Sequence, residues 1–182
     1  CADRSRDIVL NTGVSSADTS WMRNNLAAYV TDRHADVVFI AFGMNDGRQD
    51  TPVVPLAQYR ENLSKTIDEV RAAGGIPVLM TQNYTKNADN NANLDTYFAA
   101  ERQLAEEKKV LFVDEATWWK ENNGGEEINP ALHTATDSIH PNAQGHLEWA
   151  KLILDSLGML TKDSRLAETK TASVTPYGGK VK

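Results

Sequence analysis

Residues 36–42 (DVVFIAF) are apolar at every position after Asp36. A run that short, with both alternating faces apolar, suits a strand covered on both sides, which is the situation of a central strand in a parallel sheet. Three further short runs, 7–12 (DIVLNT), 76–81 (IPVLMT) and 110–113 (VLFV), have the same aliphatic character. Longer segments with apolar residues spaced by three and four lie between them. Strands alternating with helices in this way predict βαβ units and an α/β layer fold, not a sandwich or a bundle.

The predicted helices cover 21–32, 56–73, 94–108 and 142–157. In the second, Leu56, Tyr59, Leu63, Ile67 and Val70 share one face, and Gly74-Gly75 stops it. In the last, Leu147, Ala150, Ile153, Leu154 and Leu157 do the same ahead of Gly158. Asp18 or Ser20 can cap the first. Asn122-Asn123-Gly124-Gly125 marks a turn, and 126–137 reads as loop. Residues 1–160 form one domain in this reading, and the polar stretch 161–182 is a tail or linker. A chain of 182 residues can bury a core without a disulfide or metal staple.

Composition narrows the function. Acidic residues outnumber basic ones 25 to 19, for a formal charge of −6, and no basic stripe is interleaved with aromatics, so nucleic acid is not an expected partner. No apolar run approaches the roughly 20 residues that span a bilayer, so no membrane is expected either. Cys1 is the sole cysteine, which rules out an internal disulfide. With neither an initiator Met nor an apolar leader, the numbering is expected to start inside a longer product whose targeting signal lies upstream. The sequons at Asn62 and Asn83 would matter only in a eukaryotic secretory pathway.

Three stretches stand where predicted strands end or the last helix begins, the place where open α/β sheets put their ligands. In 41–47 (AFGMNDG), Asn45 projects from the carboxyl edge, where its amide can donate to a developing oxyanion; an Asx turn explains the same residues. In 11–16 (NTGVSS), Gly13 can bring its backbone N–H close to a ligand, or can simply turn the chain. In 137–142 (DSIHPN), the Asp137 carboxylate can reach His140 Nδ1 and leave Nε2 to act as base; alternatively Asp137 is a cap and His140 a surface residue. An oxyanion Asn, an Asp and a His are far rarer by accident together than singly.

These three stretches, NTGVSS, FGMNDG and 137–145 (DSIHPNAQG), resemble the second, third and fifth sequence blocks of the SGNH (GDSL-like) hydrolase superfamily, in order. The match runs from about residue 8 to 157, and within the superfamily the chain looks most like bacterial carbohydrate acetylesterases. The resemblance implies a flavodoxin-like three-layer α/β/α fold with a parallel sheet and a Ser/His/Asp esterase. In it His140 is the general base, Asp137 its orienter, and Gly13 and Asn45 two of three oxyanion donors. The chain departs from the family at its first block: no G-D-S is present, so the nucleophile, the third donor and the first central strand are missing.

The expected reaction is hydrolysis of a carboxylic ester, an O-acetyl group on a polysaccharide or glycan, with no cofactor, in a secreted or extracellular setting. The nucleophile is expected upstream of residue 1, on a segment or a second chain that completes the sheet. Ser15 and Ser16 are poor substitutes because they lie on the oxyanion-hole loop, and Ser138 points away if Asp137 and His140 face each other. The rival is a non-catalytic carbohydrate-binding or accessory module of a larger protein. His133, Asp137, His140 and His146 lack an H-E-x-x-H or Cys/His framework, so no metal is expected. Trp118-Trp119 could stack on a sugar ring, although packing of at least one into the core is the commoner use of such a pair. Asp46 is expected to organise its loop and not to act as an acid.

Overall fold

The computed structural model describes residues 8–48, 54–85, 88–121 and 139–160. At its centre three strands, β1 (Val37–Ala41), β2 (Ile76–Met80) and β3 (Leu111–Val113), form a parallel sheet in the order β1-β2-β3. Val37 stands opposite Ile76 and Ala41 opposite Met80; on the other side of β2, Val78 stands opposite Leu111 and Met80 opposite Val113. The helices are α1 (Thr19–Tyr29), α2 (Met44–Gly47), α3 (Leu56–Ala72), α4 (Ala88–Lys108), α5 (Glu115–Glu121) and α6 (Ala143–Ser156). The α/β layer fold expected from the sequence is the one observed.

Alternation along the strands sends side chains to two faces. On one, Ile40 and Leu79 pack with Met22 and Leu26 of α1, Tyr59, Leu63 and Ile67 of α3, and Tyr97 and Leu104 of α4. On the other, Ala41, Val78, Met80 and Val113 pack with Leu152 and Ile153 of α6. Helices therefore cover both faces, giving three layers. Tyr59, Leu63 and Ile67, the face predicted for α3, are completely buried. Truncating Leu63 to Ala costs about 2–5 kcal/mol at such a site.

Local chemistry sets the helix ends. Asp18 caps α1, its carboxylate accepting from the Trp21 N–H at 2.8 Å. After α3 the chain turns at Gly74, and a Cβ on Gly75 would stand 2.8 Å from the Ala35 carbonyl oxygen, a contact no side chain can make. Helix α4 begins at Ala88, ahead of the predicted start at 94. The Asn- and Asp-rich stretch there reads as loop because such side chains compete for backbone partners. Here that competition anchors the helix: buried Asn91 accepts from the Thr85 N–H at 2.8 Å and donates to the Thr85 carbonyl at 2.7 Å. Helices α2 and α5 escaped prediction because four and seven residues are too short to show a period.

Of the first predicted strand, 7–12, Asp7 lies outside the described residues, and residues 8–12 are not a strand: they pair with no strand among the described residues. Ile8 and Val9 are 83% and 94% exposed. An extended segment becomes a strand only when a neighbour takes its N–H and C=O groups, and the outer edge of β1 carries no partner strand among the described residues. That edge continues into an uncovered apolar stripe. Val37, Phe39, Ile76 and Leu111 are all exposed, and by alternation they share the α6 face of the sheet, of which α6 reaches the carboxyl-end half.

Asn62 and Asn83 are buried and hydrogen-bonded, so neither sequon can carry a glycan on the folded domain. The turn at 122–125, the loop at 126–137, the tail at 161–182 and Cys1 lie outside the described residues.

Candidate active site

The chain leaves β1 through Gly43, whose φ of +119° is a conformation that L side chains rarely adopt. A Cβ there would also meet the Tyr59 hydroxyl at 3.1 Å and the Phe98 ring at 3.2 Å. The turn continues into α2, which carries Asn45 and Asp46. Asn45 donates its side-chain amide to the Ala17 carbonyl at 2.9 Å. Fully buried Asp46 accepts from the Thr19 N–H at 2.9 Å, the Thr19 hydroxyl at 2.5 Å and the Gly43 N–H at 3.2 Å. Burial pushes its pKa up, against the opposing hydrogen bonds from Thr19. Asp46 is thus the loop organiser that was expected, joining the turn after β1 to the start of α1.

Gly13 and its neighbours sit on the segment entering α1. The Gly13 N–H donates to the Asn11 side chain at 2.9 Å, an Asx-type bond. Gly13, Ser15 and Ser16 are exposed, and Ser16 adopts a left-handed φ of 62°. Through the bond from Asn45 to Ala17, this segment is fastened to the turn after β1.

Two residues that the sequence did not mark as site residues connect the strand ends. Gln82 Oε1 accepts from the Met44 N–H at 3.0 Å, and Asn83 Nδ2 donates to the Ile139 carbonyl at 2.8 Å. Their signal was position alone: polar residues directly after β2, at the carboxyl edge. Thr81, just before them, donates to Asp114 at 3.1 Å and accepts from the Ala116 N–H at 3.0 Å. Arg102 holds Asp114 through two bonds of 2.7 and 2.8 Å. Burial works to raise the Asp114 pKa, but the bonds from Arg102 and Thr117 outweigh it and hold the carboxylate below its usual range.

His140 follows Ile139 and is exposed, while Pro141 and Asn142 behind it are buried. Asn142 caps α6, accepting from the Gly145 N–H at 3.0 Å. One turn into α6, His146 packs edge-on against Trp149, with ring centroids 5.8 Å apart. Burial, and then the neighbouring His140, lower the His146 pKa. Asp137, the expected orienter of His140, lies outside the described residues, as do Ser138 and His133. Of the Trp pair, Trp119 is fully buried and Trp118 is half-buried. Among the described residues no group of three or more His, Cys, Asp or Glu could hold a metal, and no helix is long and apolar enough to cross a membrane.

Comparison with known proteins supplies the family. The model of the GDSL-like lipase/acylhydrolase family matches residues 1–147. An acetylxylan esterase from Geobacillus stearothermophilus is 28% identical over 160 residues, covering 82% of this chain and 72% of its own. A solved structure of a catalytic mutant of that enzyme superposes with a TM-score of 0.75 over 86% of this chain and 75% of the other, at 28% identity. Lipoprotein YqeF of Bacillus subtilis (strain 168), itself uncharacterised, is 35% identical over 83 residues, 44% of this chain and 34% of its own. A family match over most of the chain, on a parallel α/β fold shared with a solved esterase, means that the chain belongs to the GDSL-like lipase/acylhydrolase family, within the SGNH hydrolases.

Proposed function

We propose that this domain is the larger part of a serine esterase that hydrolyses carboxylic esters, with O-acetyl groups on a polysaccharide or glycan as its substrate class. The observation that carries this reading is the pair Gln82 and Asn83. Consecutive residues at the end of the middle strand bond the turn bearing Asn45 and the loop bearing His140. Similarity to an acetylxylan esterase supports the substrate class. In catalytic mutants of that enzyme an aspartate and a histidine three positions apart are replaced, the separation of Asp137 and His140. Similarity to a lipoprotein supports a secreted or cell-envelope setting.

In the proposed reaction a serine hydroxyl gives its proton to His140 Nε2 as its oxygen attacks the acyl carbon, while Asp137 holds Nδ1–H. The carbonyl oxygen, now negative, is received by Asn45 and Gly13. A primary amide has two N–H bonds, so Asn45 keeps one for the oxyanion while the other holds Ala17. Gly13 has a single N–H, which becomes available when the Asn11 side chain turns away. His140 then protonates the departing alcohol oxygen, and water releases the acid by the same steps in reverse order of roles.

The nucleophile is assigned to a strand outside the described residues that adds to the free edge of β1, between it and residues 8–12. In the related esterase the serine replaced in a catalytic mutant is residue 15 of that chain. Handedness supplies a further requirement. A right-handed crossover from such a strand back to residues 8–12 runs opposite to the direction β1 to β2, so its helix must lie on the α6 face. That is the face on which Val37, Phe39, Ile76 and Leu111 stand uncovered.

The test compares the 182-residue chain with a protein that also contains a Ser-bearing strand and helix. The longer protein is expected to take a fluorophosphonate label and to hydrolyse a small aryl acetate, and the shorter to do neither. Labelling of the shorter chain moves the nucleophile to Ser15 or Ser16. Binding of acetylated glycan by the longer protein with no turnover at all would establish the non-catalytic module instead.

A further inference from the structure

Beneath the turn that carries Asn45 lies a buried hydrogen-bond chain to which the reaction above gives no part. The Tyr59 hydroxyl is 3.3 Å from the Phe42 carbonyl oxygen and 3.2 Å from Glu101 Oε2. Phe42 directly precedes Gly43, and the same hydroxyl is 3.1 Å from where a Cβ on Gly43 would stand. Tyr59 and Glu101 are both completely buried.

A hydroxyl has one hydrogen, so Tyr59 cannot donate to both oxygens at once. If Glu101 is ionised, its charge attracts that hydrogen and the Phe42 carbonyl loses its donor. If Glu101 is protonated, it donates to Tyr59, and Tyr59 is free to donate to Phe42. The surroundings decide between these states. Glu101 Oε1 has no hydrogen-bond partner. The neighbouring cation Arg102 is committed to Asp114 by two bonds. Among the described residues, the other ionisable groups that act most strongly on Glu101 are Tyr59 from α3, Asp46 from α2 and Asp114 after β3, none of them cationic. An ionised carboxylate left there without water or a counter-charge is strongly disfavoured. Burial accordingly holds the Glu101 pKa well above the usual carboxylate range. Asp46 differs in having three donors of its own.

We propose that Glu101 is a positioning residue for the esterase reaction: as a neutral acid it donates to Tyr59, which commits Tyr59 to the Phe42 carbonyl and fixes the turn that presents Asn45. This role rests on Asn45 being an oxyanion donor. Glu101 touches no substrate and acts only through Tyr59 and the turn.

The substitutions separate a proton-holding role from mere packing. Glu101→Gln keeps a neutral N–H donor of the same size, whereas Glu101→Met fills the space without one and Tyr59→Phe removes the middle of the chain. In the protein that carries its nucleophile, Glu101→Gln is expected to turn over an aryl acetate at close to the parent rate. Glu101→Met and Tyr59→Phe are expected to lower kcat about 10- to 100-fold with little change in KM, as for a catalytic group moved by a fraction of an ångström. The parent should lose activity at alkaline pH as Glu101 ionises, and this limb should be absent in Glu101→Gln.

Two readouts need no activity. Infrared spectroscopy at neutral pH should show protonated-carboxyl absorption from both Glu101 and Glu115, of which the Glu101 component is lost in Glu101→Gln. The Asn45 side-chain amide resonances should shift in Glu101→Met and Tyr59→Phe but stay in place in Glu101→Gln. An inactive parent therefore refutes the proposed function while these signals still decide the role of Glu101. The inference is overturned if Glu101→Gln leaves the protonated-carboxyl absorption unchanged, if the Asn45 resonances ignore all three substitutions, or if Glu101→Gln is as impaired as Glu101→Met.

Discussion

Asn45 donates its side-chain amide to the Ala17 carbonyl at 2.9 Å, across 28 residues of sequence. The bond fixes the amide against the segment that carries Gly13 and uses one of its two hydrogens, the other being the one that the proposed reaction assigns to the oxyanion. Asn45→Ala removes both, and kcat for an aryl acetate in the nucleophile-bearing protein is expected to fall by about two to three orders of magnitude, the scale for losing one oxyanion donor. Unchanged turnover would take Asn45 out of the mechanism.

Under the proposed reaction, in which His140 is the base and Asp137 sets its tautomer, His140→Ala and Asp137→Asn should each lower kcat by about three to four orders of magnitude. Fluorophosphonate labelling should slow in parallel. A single and a double variant with the same residual rate would show that the two side chains work as a unit; additive losses would separate them.

Asp46 satisfies three donors around the start of α1 and the turn after β1. Asp46→Ala leaves those buried N–H and O–H groups without an acceptor, so urea unfolding should show a loss of about 1–3 kcal/mol or more. Thr19→Val, which removes one donor, should cost less. A neutral outcome for Asp46→Ala would mean that the turn is held by packing alone.

Glu115 opens α5 fully buried, with neither carboxylate oxygen hydrogen-bonded, and burial pushes its pKa up to about 9. Because the folded value lies above the unfolded one, its full contribution to stability is present below the ordinary carboxylate pKa and is lost as pH rises towards 9. Within that window each pH unit costs about 1.4 kcal/mol. Glu115→Gln should flatten this slope and raise the midpoint of thermal unfolding at pH 8. Identical slopes in the two proteins would indicate that Glu115 ionises freely.

Phe39 is 39% exposed on the uncovered part of the α6 face. Phe39→Lys should make the 182-residue chain more soluble, since a charge on an exposed sheet edge blocks further pairing. In the protein that carries the completing strand and helix, the same substitution should lower the unfolding midpoint, because the position is then covered. A gain in both contexts would mean that nothing packs there.

Periodicity alone was enough for the layered fold. The three observed strands and the core face of α3 at Tyr59, Leu63 and Ile67 follow from apolar spacing, because burial acts on each segment through its own period. Motif spacing likewise located Asn45 and His140 at a strand end and before a helix. Asp18 as the α1 cap was legible for the same local reason.

What the sequence could not determine is wherever one segment depends on another. Residues 8–12 have a strand's composition but no partner strand among the described residues, since a ladder belongs to two strands and propensity describes one. The early start of α4 was hidden because Asn91 looks like a loop former until its side chain meets Thr85. Gln82 gave no motif and Asn83 only a sequon, yet they tie the two candidate loops together. Glu101 was one charged residue among several on a predicted helix; only the packing of α4 against Tyr59 buried its carboxyl beside a cation, Arg102, that is already committed to Asp114. Sequence pattern decides which face of an element is apolar, and tertiary structure decides which polar groups must find their partners inside.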